Sequence, residues 1–136
     1  MANPAGFRPI SRPGMGELPL YYEQMTDAEA SVLGEALVLT SGKLTKCAAT
    51  ATPQFIAAKT VALATPGTVI PVWRVDELTE WTTQSMATVA TTLIGAKVTL
   101  HTDGLLVTAT TSSGVFEISE TDGATTTSNV RGRFRQ

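Results

Sequence analysis

A chain of 136 residues, 43% hydrophobic but only 6% aromatic and 16% charged, suits one domain that buries about two-thirds of its unfolded surface without staples. Its formal net charge of −2 gives no basic footprint for a phosphate backbone and argues against nucleic-acid binding across the domain. No stretch approaches the roughly eighteen apolar residues of a membrane span, and no positively charged segment leads into an apolar run, so a soluble protein made in a reducing cytosol and without membrane contact is expected.

Residues 1–25 predict an extended arm. Pro4, Pro9, Pro13 and Pro19, with Gly6, Gly14 and Gly16, forbid a helix interior and interrupt a strand ladder. Phe7, Ile10, Leu18 and Leu20 are apolar residues that an isolated tail leaves in water, so the arm lies on its own domain or on a neighbour. Residues 26–136 predict a single β-rich domain. Thr26 followed by Glu29 fits a capping box and predicts one or two helical turns before Gly34. The alternation from Ala36 to Thr40, the Ser41-Gly42 turn signal and the run Lys43 to Ala48 predict a hairpin, with Leu44 facing one side and Lys43, Thr45 and Cys47 the other. Cys47 is the sole cysteine, which excludes an intrachain disulfide, and it reads as a small buried hydrophobe.

After Pro53, the run Gln54 to Ala58 predicts a short strand. Pro66-Gly67 marks a reversal, and Val69 to Val75 predicts a strand covered on both faces, with Pro71 making it an edge or bulged strand. From Asp76 to Thr92 the pattern weakens, Trp81 is the only large anchor, and helix, strand and loop all remain open. Lys97 to His101, Asp103-Gly104 and Leu105 to Thr110 predict a second hairpin. Val115 to Glu120 turns inward through Phe116 and Ile118, Asp122-Gly123 turns the chain again, and Val130 to Phe134 predicts the last strand. About seven short strands with such turns predict a mainly β fold with little helix, a compact β-barrel or sandwich behind the extended N-terminal arm.

Chemistry-bearing motifs are sparse. His101 is the sole histidine, which excludes a multi-histidine zinc site within one chain, and its place on the polar side of a strand reads as surface. Asp76, Glu77 and Glu80 form the clearest acidic group, but no calcium-loop glycine pattern surrounds them, and a solvated turn accounts for them. Asp103 and Asp122 each precede glycine and belong to turns. Trp73 and Trp81 suggest stacking platforms, yet the acidic neighbours would repel a phosphate chain, which favours core packing or a protein contact. Arg8, Arg12, Arg131, Arg133 and Arg135 supply half of the ten basic residues and read as solvated ends of the chain. No catalytic residue, cofactor or metal is expected.

Gly6-Phe7-Arg8-Pro9, Tyr21-Tyr22 before Thr26-Asp27-Ala28, Gly34 leading into Leu37-Val38-Leu39, and Val115-Phe116-Glu117-Ile118 together give an order of fragments that resembles the capsid decoration, or cement, proteins of tailed bacteriophages. The resemblance implies a structural virion protein, made in the host cytoplasm, that binds the outer surface of an icosahedral head. It implies the major capsid protein as partner, bridging of its subunits, and a homo-oligomer, a trimer around symmetry axes. The expected contact residues on that reading are Phe7, Arg8, Pro9, Ile10, Arg12, Leu18, Tyr21 and Tyr22. Another phage structural component, such as a tail-tube, head-completion or fibre-base protein, is the alternative, and a ligand-binding β-barrel using Trp73 and Trp81 a further one.

Overall fold

The computed structural model describes residues 3–12, 14, 18–125 and 127–135. Its strands are β1 (Arg8–Ser11), β2 (Tyr21–Gln24), β3 (Ala36–Thr40), β4 (Lys43–Lys46), β5 (Phe55–Ala57), β6 (Val69–Arg74), β7 (Glu80–Gln84), β8 (Lys97–Val98), β9 (Phe116–Thr121) and β10 (Asn129–Phe134), with one 3-10 turn at Thr91–Leu93. They form two five-stranded antiparallel sheets, β1-β7-β10-β9-β8 (sheet 1) and β2-β6-β5-β3-β4 (sheet 2). The mainly β, helix-poor expectation is met by a sandwich and not by a closed barrel.

The alternation of side chains explains how one sheet serves two cores. On β3, Ala36 points toward sheet 1 and joins Ile56, Trp81, Phe116, Ile118, Val130 and Phe134. Leu37, one residue on, points the other way and joins Leu44, Ala57, Ile70 and Val72, which Met25 and Ala64 cover. Both faces of β6 are therefore packed, as the apolar residues of Val69 to Val75 predict, with Trp73 against the first cluster and Ile70 and Val72 in the second. Sheet 2 curls until Met25 and Leu44 form one parallel bridge, beside which the Thr26 N–H donates to the Leu44 carbonyl at 3.1 Å.

Several local expectations are met. Ser41 and Gly42 take positive φ values of 52° and 79°, the conformation of a tight hairpin turn, and set Thr40 opposite Lys43. Leu44 and Cys47 then fall into different clusters. The second hairpin exists in a looser form, in which Leu100 bridges Val107 and the Asp103 carboxylate accepts the Leu105 and Leu106 N–H groups at 2.8 and 3.2 Å.

Other expectations are corrected. No helix follows Thr26. Its hydroxyl donates to the Leu44 carbonyl at 2.9 Å, the Glu29 carboxylate accepts from the Thr45 hydroxyl, and Ala28 has a φ of 65°, so long-range bonds replace the capping box. Pro71 lies within an inner strand of sheet 2, not at an edge. Its carbonyl accepts from the Ala58 N–H, just beyond the end of β5, so its nitrogen faces a place where no ladder bond is required. The ambiguous stretch after Asp76 contains β7, which lies between β1 and β10.

The N-terminal arm lies on its own domain, one of the two courses that the sequence leaves open. Residues 1, 2, Pro13, 15, Gly16 and 17 lie outside the described residues, but β1 pairs with β7 and β2 with β6, so the first 25 residues supply an edge strand to each sheet. Phe7 is 0% exposed, its ring 4.9 Å from that of Phe134 and 5.4 Å from that of Phe116. The Phe7 N–H donates to the Gly34 carbonyl at 2.8 Å. A Cβ on Gly34 would fall 2.8 Å from the Gly6 backbone, so these backbones meet only because both residues lack a side chain.

One buried charge stands out. Glu35 is 4% exposed, accepts the Val32 N–H at 3.2 Å and lies 3.9 Å from the largely exposed Lys46 ammonium. Desolvation by burial raises its carboxyl above the ordinary range, against the opposing effects of the Val32 N–H and Lys46. A folded-state value above the unfolded one favours folding below the unfolded value and loses that contribution as pH rises through the folded value.

Two outcomes are expected. Phe7→Ala should destabilise the domain by about 3–5 kcal/mol, read as a lower urea midpoint, and an unchanged midpoint would show that the ring is not seated in the core. Glu35→Gln keeps an oxygen for the Val32 N–H and should melt a few degrees higher than wild type at neutral pH, with the difference fading as pH falls below the ordinary carboxylate range. Parallel melting curves across that range would contradict the assignment.

Candidate functional site

The residues expected to make contacts divide into two groups. Phe7 is unavailable because it is core, and Arg8 is turned inward, its Nη1 donating to the Leu33 carbonyl at 3.2 Å. Pro9 is half-buried in β1 opposite Trp81. Arg12 lies 3.0 Å from the Asp76 carboxylate. Burial raises the Asp76 carboxyl, but the Thr79 and Leu78 N–H groups, the Thr79 hydroxyl and Arg12 outweigh it and hold the group below its usual value. Ile10, Tyr21 and Tyr22 remain outward, Tyr22 being 65% exposed, and Leu20, expected only as part of the arm, is 46% exposed. Leu18 is half-buried and lines a hollow with Pro19 and Arg12.

The curl of sheet 2 creates a feature that linear spacing does not reveal. Tyr21 is opposite Val72, and Phe55 is opposite Arg74 and Leu37, so Tyr21, Glu23, Leu39, Phe55 and Arg74 share the concave face. They line an open groove of about 730 Å3. A second hollow of about 320 Å3 shares Tyr21, Arg74, Val75 and Asp76 with it. The Arg74 guanidinium lies 6.0 Å from the centroid of the Tyr21 ring, the outer limit of a cation–π contact. Apolar floor, aromatic wall and carboxylates make this a binding surface in chemical character.

The other candidates resolve into structure. Asp76, Glu77 and Glu80 do not act as a unit. Asp76 organises a turn with Thr79, whereas Glu80 faces Arg131 and Arg133 at 3.7 Å each. No group of three metal-ligating side chains occurs among the described residues. Trp73 and Trp81 meet edge-on inside the sandwich, 6.3 Å apart, and Trp81 is 0% exposed, so they do not form a stacking platform. Burial pushes the Cys47 thiol up to about 11, which keeps it protonated and unreactive at neutral pH.

The basic residues near the chain end are not solvated tails. Arg131 and Arg133 alternate outward on β10, and Arg131 also reaches Glu120 at 3.2 Å. Arg135 lies 3.4 Å from Glu117. Such exposed pairs contribute little each, but they neutralise the outer face of sheet 1 and leave no basic stripe there. The chain matches no protein-family model, no curated protein and no solved structure.

Proposed function

We propose that this protein is a structural component of a tailed-phage head, held on the outer surface of the capsid, where it bridges neighbouring major capsid protein subunits. The observation that supports this reading most is the gathering of exposed apolar side chains, Ile10, Leu20, Tyr21 and Tyr22, in the segment that supplies an edge strand to each sheet. A monomeric domain does not need so many exposed apolar groups in so short a segment, whereas a protein that holds subunits together does. The two core clusters beneath them hold β1 and β2 in place, which lowers the ordering cost at binding for the side chains that these strands carry.

On this reading the contact set is Ile10, Leu18, Leu20, Tyr21 and Tyr22. Phe7 and Arg8 act indirectly by fixing β1 in place. A trimer around a symmetry axis is the proposed assembly, since it would present three copies of the segment to symmetry-related capsid subunits.

Co-sedimentation with heads stripped of the protein tests the proposal. Wild type should sediment with heads, and Tyr21→Ser combined with Tyr22→Ser should bind at least about tenfold more weakly while melting like wild type. Undiminished binding by that variant, or wild-type protein that stays in the supernatant, would contradict the reading.

A further inference from the structure

Sheet 2 curls around the second core cluster, and its concave face opens at one end as the groove of about 730 Å3. Leu39 and Phe55, half-buried and packed against that cluster, form the floor, and the ring of Tyr21, 40% exposed, forms part of the wall. Main-chain hydrogen bonds run in the plane of a sheet while side chains stand out from it, so the strands here meet an occupant with their side chains.

Polar groups on this surface have capacity to spare. Among the described residues, the Glu23 and Glu77 carboxylates take part in no ion pair or hydrogen bond. The Arg74 guanidinium takes part in none either and lies over the Tyr21 ring. Gln54 is held by the Leu39 N–H, which donates to its Oε1 at 2.6 Å, and this bond leaves the Nε2 group free to donate. Asp76, by contrast, is taken by Arg12.

We infer that the groove binds a neutral oligosaccharide of more than one ring, with its C–H faces on Phe55 and Tyr21 and its hydroxyls paired with Glu23, Gln54, Arg74 and Glu77. Both signs of charge line the groove, so a cation meets Arg74 and an anion meets Glu23 and Glu77, whereas a neutral ligand meets no like charge. A purely apolar occupant would strip water from these groups and return no hydrogen bond. A hydroxyl both donates and accepts, so one kind of ligand group serves the carboxylates, the amide and the guanidinium alike. Length follows from the register. Glu23 is opposite Ile70, and Arg74 stands four residues further along β6, about 13 Å away, a span that a single sugar ring does not cover.

A polypeptide segment fits less well. It would bring main-chain donors and acceptors to a surface of side chains, and sheet 2 offers no free ladder beside the groove, since its two ends, β2 and β4, meet through the Met25–Leu44 bridge and the Thr26 N–H on the Leu44 carbonyl. Of the groove residues only Tyr21 belongs to the capsid contacts proposed above, and sugar binding here does not rest on the virion reading.

Screening the labelled full chain on a printed array of neutral, sialylated and sulfated oligosaccharides tests this directly. Neutral structures of more than one ring should be retained, the same sugars in solution should compete for them, and raising the salt concentration should leave the binding nearly unchanged. In the NMR spectrum of the wild type, the best-retained sugar should shift the Glu23, Leu39, Phe55 and Arg74 amides, a readout that does not depend on the folding of any variant. Glu23→Gln and Arg74→Leu should each weaken binding at least about tenfold, and neither change removes an ion pair or side-chain hydrogen bond within the described residues. An array that retains nothing, retention confined to charged sugars, shifts that map outside the groove, groove shifts given by lysine-rich peptides and by no sugar, or wild-type binding by both variants would overturn the inference.

Discussion

The seat of Phe7 is the constraint on which the rest of the molecule depends. Its ring sits among Phe116 and Phe134, and Phe134 in turn meets Trp81 edge-on at 5.9 Å, so one residue from the start of the chain completes a cluster contributed by β7, β9 and β10. To reach that seat the chain passes Gly34 at a separation only two glycines allow, while the Gly6 N–H donates to the Leu105 carbonyl at 3.0 Å. With Phe7 anchored, β1 continues along β7 and delivers Arg12 to Asp76. The chain then crosses to the far edge of sheet 2 and forms β2. The same segment therefore ties the two sheets together and carries the surface proposed to meet a partner.

Much of the fold is legible in the sequence where local rules and tertiary structure agree. The Ser41-Gly42 hairpin, the two-faced Val69 to Val75 strand and the inward Phe116 and Ile118 follow from turn chemistry and alternation alone. Phe7 does not, because its neighbouring prolines and glycines read as an arm, and its partners lie more than a hundred residues away. The strand at Glu80–Gln84 is hidden for another reason. Two of its inward positions are Trp81 and Thr83, and Thr83 is buried because its hydroxyl donates to the Leu105 carbonyl at 2.7 Å, a bond that no hydrophobic pattern announces. The helix expected after Thr26 fails since Ala28 and Ser31 donate their N–H groups to Ala64 and Val61 across the chain.

The candidate site was legible in part. Tyr21 and Tyr22 attract attention as adjacent aromatics in a polar context, and both are exposed. The groove beside them arises from the curl of sheet 2, which brings Leu39, Phe55 and Arg74 onto one concave face from separate strands, so sequence spacing carries no trace of it. Likewise the approach of β2 to β4, the two ends of sheet 2, through the Met25–Leu44 bridge appears only once the strand order is known.

The proposal that this rigid body holds capsid subunits together makes location the decisive observable. Electron cryomicroscopy of the native virion measures it, with density for the two-sheet domain sought over the whole particle. The prediction is regular copies on the outer shell, each with Ile10, Leu20, Tyr21 and Tyr22 turned toward a junction between major capsid protein subunits. Density confined to the portal or the tail, or copies on the shell whose Ile10, Leu20, Tyr21 and Tyr22 face solvent, would contradict it.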